Sequence, residues 1–171
     1  MSAIVIDTNV LLIADGKTPQ MSDACLQECL IRLERVKTTE QVVLDRDWII
    51  LGEYHRKLQP NQSPTPGSAF LKWMLQVQAV AKHVSPVTIT ALDQEQTQFA
   101  EFPSDAALEA AFDPADRKFV AAANAHPEKP PILEAADSKW LGWEPRLAVH
   151  GIRLEVLCRC ELAAIRKRKT S

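Results

Sequence analysis

Apolar residues fall into two rhythms along this chain. Ala3-Ile4-Val5-Ile6 ends abruptly at Asp7-Thr8-Asn9, the pattern of a buried strand with a polar tip. Val42-Val43-Leu44 before Asp45, Val87-Thr88-Ile89 after Pro86, Ile132-Leu133 after two prolines, and the run from Ile152 to Leu157 read the same way. Between these runs the period changes. Leu26, Leu30, Leu33 and Val36 share one helical face behind a Ser22-Asp23 cap, and Phe70, Trp73, Met74, Val77 and Ala81 mark another amphipathic helix. Val10 to Ala14 can begin a helix, residues 46–58 read as helical, and Ser104 to Ala111 as a short helix. Asp113-Pro114 opens a helix that stops before Pro127, because an aspartate cap followed by a φ-locked proline presets the first turn. Trp140 to Trp143 reads as a turn, and Arg146 to His150 as a short helix closed by Gly151. Gln59 to Ser68, with three prolines and a glycine, reads as a surface connection, with a mobile flap as the other reading. Asp93 to Pro103 shows no clear period.

Strands alternating with helices imply parallel pairing and right-handed crossovers. The expected fold is therefore α/β, a three-layer α/β/α sandwich around a central parallel sheet of four to five strands. A length of 171 residues suits one domain, placed at 1–158, with 159–171 as a basic C-terminal helix or tail. Arg166-Lys167-Arg168-Lys169 within that tail reads first as a solvated charge run. The formal net charge of −2 argues weakly against a purely electrostatic nucleic-acid binder. It leaves room for an enzyme that gathers carboxylates around metal ions. No run approaches the roughly 20 apolar residues of a membrane span, and Asp7 breaks the first run, so a cytoplasmic protein without membrane contact is expected. Four cysteines are present: Cys25 and Cys29 four apart on one helical face, Cys158 and Cys160 separated by one residue. Free buried thiols are the expectation for a reducing compartment. A bridge between the pairs and a four-cysteine zinc site are weaker readings, since neither spacing is the usual zinc knuckle.

In an open parallel sheet, sites form beyond the carboxyl ends of the strands. Asp7 closes the first strand, and Asp137 lies just past the fourth. Asp116 is in the first turn of the helix that leads into the fourth strand, and Glu53 is on the helix after the second. Converging carboxylates repel and raise one another's pKa values unless a cation neutralises them. Oxygen-only ligation selects Mg²⁺ or Mn²⁺, and such ions hydrolyse phosphodiesters with water and no protein nucleophile. Singly, each residue has a plain reading: Asp7 and Asp137 as caps, Asp116 as a partner of the helix dipole, Glu53 as a solvated helical residue. The combination carries the metal reading.

The same residues carry a family resemblance. Ile4-Val5-Ile6-Asp7-Thr8-Asn9 followed by Val10-Leu11 resembles the opening of PIN-domain ribonucleases. Leu51-Gly52-Glu53-Tyr54-His55-Arg56-Lys57-Leu58 is similar to the middle motif, and Asp116 to Ala123 to the third acidic motif. Ile132-Leu133-Glu134-Ala135-Ala136-Asp137-Ser138 with Trp140 resembles the fourth, and His150-Gly151-Ile152 the closing segment. The resemblance runs in order over essentially the whole chain. It implies that Asp7, Glu53, Asp116 and Asp137 bind Mg²⁺ or Mn²⁺ and that the chain hydrolyses RNA phosphodiesters. It implies a supporting place for Asn9 beside Asp7, and it brings Ser138 and Lys139 next to the fourth motif. Lys139 stands where many relatives carry a further acid, and Asp45 competes with Glu53 for the middle ligand position. RNA is the expected partner, with single-stranded DNA as the other substrate reading. A toxin, an RNA-processing enzyme and a defence component are the roles left open; a toxin role adds an inhibitory antitoxin or other protein partner and a homodimer to the expectations. The alternative is an inactive PIN-like module that binds RNA or protein. An aspartate-nucleophile phosphatase is disfavoured, because Asn9 occupies the place of its second aspartate.

Overall fold

The computed structural model describes residues 1–59 and 64–170. Residues 60–63 of the expected proline-rich connection, and Ser171 of the tail, lie outside the described residues. Strands and helices alternate as β1 (Ser2–Ile6), α1 (Thr8–Ala14), α2 (Asp23–Thr39), β2 (Glu40–Asp45), α3 (Ile49–Leu58), α4 (Pro66–Val77), β3 (Val84–Val87), α5 (Ala106–Ala111), a single 3-10 turn (Pro114–Asp116), α6 (Arg117–Ala125), β4 (Ile132–Glu134), α7 (Lys139–Val149), β5 (Leu154–Val156) and α8 (Arg159–Thr170). The five strands form one parallel sheet in the order β3-β2-β1-β4-β5, flanked by helices in a three-layer α/β/α arrangement.

Ile4, Val5 and Ile6 of β1, and Ile132 and Leu133 of β4, are fully buried, as expected for strands covered on both faces. The chain steps from β1 to β2 on one side and later returns to β4 on the other. The strand order therefore reverses between β1 and β4, the place where open α/β sheets of this kind bind their ligands, beyond the carboxyl ends of the strands. Beside it, α6 packs across β1, β2 and β4, and its Phe119, Val120, Ala121, Ala122 and Ala123 are wholly buried. The small alanines let that helix approach the sheet closely.

Several elements differ from their sequence-based outlines. The third strand lies earlier than expected and includes Pro86, which costs nothing in the ladder because β3 is an edge strand paired only with β2. The expected turn and short helix over 140–150 are one helix, α7, with Pro145 inside it. Trp140, Trp143 and Leu147 bury the same side of that helix, and their packing outweighs the hydrogen bond the proline removes. Phe112 stacks on Trp143 at 3.9 Å between ring centres and meets Trp140 edge-on, so this aromatic cluster is core. The tail is a docked helix: Leu162 and Ile165 of α8 are buried, and Arg166 donates to the Ser138 carbonyl at 3.3 Å. Gly142 makes that reach possible, since a Cβ there would collide with the Arg166 guanidinium. The expectation of free buried thiols is corrected: Cys25 and Cys158 form a disulfide that ties α2 to the start of α8, leaving buried Cys29 and exposed Cys160 free.

Asp45 is part of this architecture. Its carboxylate accepts from the backbone N–H groups of Asp47 at 3.1 Å, Ile49 at 2.9 Å and Ile50 at 2.8 Å, so both oxygens are spent on opening α3. Trp48, in the left-handed region at φ 63, provides no cap of its own, and Asp45 fills that place. Asp45→Ala is expected to lower stability by about 2 kcal/mol, read from denaturant unfolding, and to leave divalent-metal affinity unchanged.

Candidate metal centre

The centre begins at the end of β1. The Asp7 backbone N–H continues the ladder by donating to the Leu133 carbonyl at 2.9 Å, and Asp7 then caps α1. Its carboxylate accepts the Asn9 backbone N–H at 3.2 Å and the Asn9 side-chain amide at 3.5 Å. Tyr54, fully buried on α3, donates its hydroxyl to the Ile6 carbonyl and pins the strand end from the other side. Asp7 itself is 2% exposed.

Ile6 pairs with Leu133, so the next residues on the two neighbouring strands are Asp7 and Glu134. Parallel neighbours in register project to the same face about 5 Å apart. Glu134 is entirely buried. One of its oxygens accepts the Asp137 backbone N–H at 2.6 Å, and the other, Oε2, has no hydrogen-bond partner among the described residues. A buried carboxylate oxygen without a partner is costly when charged, and the cost is met by keeping the proton or by taking a counter-ion. Sequence reading passed over Glu134 because it counted the fourth strand as ending at Leu133. A carboxylate closing an apolar run, as in Ile132-Leu133-Glu134, was the available signal and is the same signal that marked Asp7.

Electrostatics link these groups. Burial pushes the Asp7 carboxyl well above its ordinary range, and the charges of Asp116 and Glu134 push it further. Asp116, half-buried at the end of the 3-10 turn, is raised to about 7 by burial and by Asp137 and Asp113. Glu134 is raised to about 8, chiefly by burial, against the lowering effect of its bond from Asp137 N–H. No ion pair from the described residues reaches Asp7, Asp116 or Glu134; the buried cation nearby, Lys118, is engaged elsewhere.

The other sequence-derived residues sit around this core. Glu53 accepts the Thr8 hydroxyl at 2.6 Å and pairs with Lys118 at 2.5 Å, so both its oxygens are occupied. Lys118 also donates to the Ala115 carbonyl. Asp137 is half-buried and accepts the Lys139 backbone N–H at 2.9 Å. Ser138 is buried at the start of α7. The Lys139 ammonium pairs with Asp113 at 3.0 Å, which lowers the Asp113 pKa and raises that of Lys139. Among the described residues, the group of three possible ligand atoms lying within 4.8 Å of one another is Cys25, Cys29 and Cys158. No three carboxylates of the described residues bring ligand atoms within that distance.

An all-oxygen donor set of this kind suits a hard divalent cation. The orphaned Glu134 Oε2 and the buried Asp7, which no ion pair from the described residues reaches, fit such an ion, and half-buried Asp116 acts on Asp7 through its charge. No family model, no curated protein and no solved structure matches this chain in the three comparisons. Among the described residues, no helix is long and apolar enough to cross a membrane.

Proposed function

We propose that the chain is a Mg²⁺- or Mn²⁺-dependent endoribonuclease of the PIN-like kind, acting at the carboxyl ends of β1 and β4. The observation that supports this most is that Asp7 and Glu134 stand at the ends of adjacent strands where the strand order reverses, near enough to Asp116 for the charges of Asp116 and Glu134 to raise the Asp7 pKa, with no ion pair from the described residues to any of the three. Asp7 and Glu134 would hold the ion from the strand ends, and Asp116 from the start of α6, with Asp137 beside them. Bound there, the ion would supply the positive charge that activates water and steadies the departing oxygen of a phosphodiester. Asn9 fixes the Asp7 carboxylate by its two hydrogen bonds. Lys118 keeps Glu53 neutralised, and its charge tempers Asp116. Lys139, more than half exposed on its side chain at the rim, offers a cation to an incoming phosphate.

Cleavage of a labelled single-stranded RNA, with Mn²⁺ or Mg²⁺ and with EDTA, tests the reading. Metal-dependent cutting, absent with EDTA, is the expected result. Failure to cut RNA or single-stranded DNA by a protein that still binds metal would sink the enzymatic reading. A second reading, an inactive PIN-like module for RNA or protein, draws on the Glu53–Lys118 pair, which occupies one of the four family carboxylates. RNA binding without cleavage is the outcome that would select it.

A further inference from the structure

A second cluster of ligating atoms, sulfur rather than oxygen, joins α2 to the start of α8, and Cys29 within it feels the charges of Glu28 and Glu134. Cys25 and Cys29 stand one turn apart on α2, and Cys158 approaches them from the junction of β5 and α8. Cys158 sits in the left-handed region at φ 54, a conformation uncommon for a non-glycine residue. The three Sγ atoms lie within 4.8 Å of one another. Cys29, which takes no part in the Cys25–Cys158 bond, is fully buried against it. The fourth cysteine, Cys160, lines the same surface pocket as Cys25 and Cys158, together with Glu28 and Glu161.

Burial raises the Cys29 thiol to about 12, so on its own it is an inert group. A disulfide alone needs two cysteines, whereas this corner of the fold gathers three sulfurs and places a fourth on the rim. Sulfur-only ligation selects thiophilic d10 ions, zinc above all, bound tetrahedrally. We propose that reduction of the Cys25–Cys158 bond converts this corner into a zinc site, held by Cys25, Cys29 and Cys158 and closed from the pocket by Cys160. The chemistry balances simply. Two molecules of a cellular thiol supply two electrons and two protons, become their own disulfide, and leave Cys25 and Cys158 as thiols. Zn²⁺ then displaces the four thiol protons to solvent as it binds. The ion would keep α2 fastened to the start of α8, which is what the disulfide does in the oxidised chain.

The full chain, reduced with a phosphine and freed of reductant without air, is titrated with Co²⁺ as a spectroscopic stand-in and then with Zn²⁺. One equivalent of Co²⁺ is expected to give sulfur-to-cobalt charge-transfer absorption and the intense visible bands of a tetrahedral site, both erased by Zn²⁺. Cys29→Ser is expected to weaken binding about 100-fold or more and Cys160→Ser about tenfold. Asp7→Asn is expected to leave the bands intact, which separates this site from the acidic centre. Absence of the charge-transfer band in the reduced chain overturns the proposal, as does undiminished affinity in a folded Cys29→Ser. Unchanged affinity in Cys160→Ser overturns the assignment of the fourth donor. Should Cys29→Ser not fold, alkylation of the unaltered reduced chain decides: zinc must shield Cys25 and Cys158, and equal labelling with and without zinc rejects the site.

Discussion

Without divalent ions at pH 8, the Glu134→Gln protein should melt above the unaltered one by roughly 10 °C. Glu134 in the folded chain is raised to about 8 from an ordinary value of 4.5, and Asp116 to about 7 from 3.8. A carboxyl whose folded pKa is raised binds its proton more tightly in the native state than in the unfolded one. Its protonated form contributes fully below the unfolded value, and that contribution is lost as the pH rises through the folded value. The metal-free chain should therefore lose on the order of a few kcal/mol between about pH 5 and pH 8. Glutamine matches the shape of Glu134, keeps an oxygen for the Asp137 N–H and carries no charge to desolvate. Mn²⁺ should remove most of the pH-dependent loss in the unaltered protein and do little for the variant. Thermal unfolding across that pH range, with and without Mn²⁺, checks both statements. A flat profile for the metal-free chain would contradict them.

The second large effect is on activity. If the proposed centre is the active site, Asp7→Asn and Asp116→Asn should each reduce metal-dependent RNA cleavage by about a thousandfold or more, since each removes a charge that would hold the ion. Both variants should fold, because asparagine can still cap α1 at position 7, and Asp116 makes no side-chain cap bond at α6. Rates measured beside circular dichroism would separate loss of chemistry from loss of structure. Retention of full activity in either variant would remove that residue from the proposed centre.

The parts of this molecule that sequence made legible share a cause. β1, β2 and β4 are short apolar runs, and a strand buried on both faces has little freedom to be anything else. Asp7 stood out because it interrupts such a run, and Asp116 because Asp113-Pro114 announces a helix start. Other features depend on partners distant in sequence. β3 tolerates Pro86 only because the strand is at the sheet edge, which local pattern does not reveal. α7 survives Pro145 through Trp140, Trp143 and Leu147, whose burial is a tertiary fact. The closeness of Cys25, Cys29 and Cys158 spans 133 residues between the bonded pair, beyond the reach of any spacing rule. Glu134 was hidden by a single residue of strand length, although it follows Leu133, the partner of Ile6, and so is the strand-end neighbour of Asp7.

The site also shows which carboxylates have been committed to the fold. Asp45 spends its oxygens on three backbone N–H groups, and Glu53 spends its pair on Thr8 and Lys118. Neither needs an ion to be satisfied. Asp7, Asp116 and Glu134 are the buried or half-buried acids whose pKa values are raised, and they are the ones proposed to hold the ion. The proposed centre would thus sit on two adjacent strand ends and one helix start, a rigid frame for a small cation.

Direct Mn²⁺ binding at pH 8, followed by the loss of the free-ion electron paramagnetic resonance signal, tests the metal centre without reference to any substrate. The chain should take up Mn²⁺, and the Asp7→Asn, Glu134→Gln double variant should take up none at the same concentrations. Equal uptake by the two proteins, or none by the unaltered chain, would contradict a metal centre at the ends of β1 and β4.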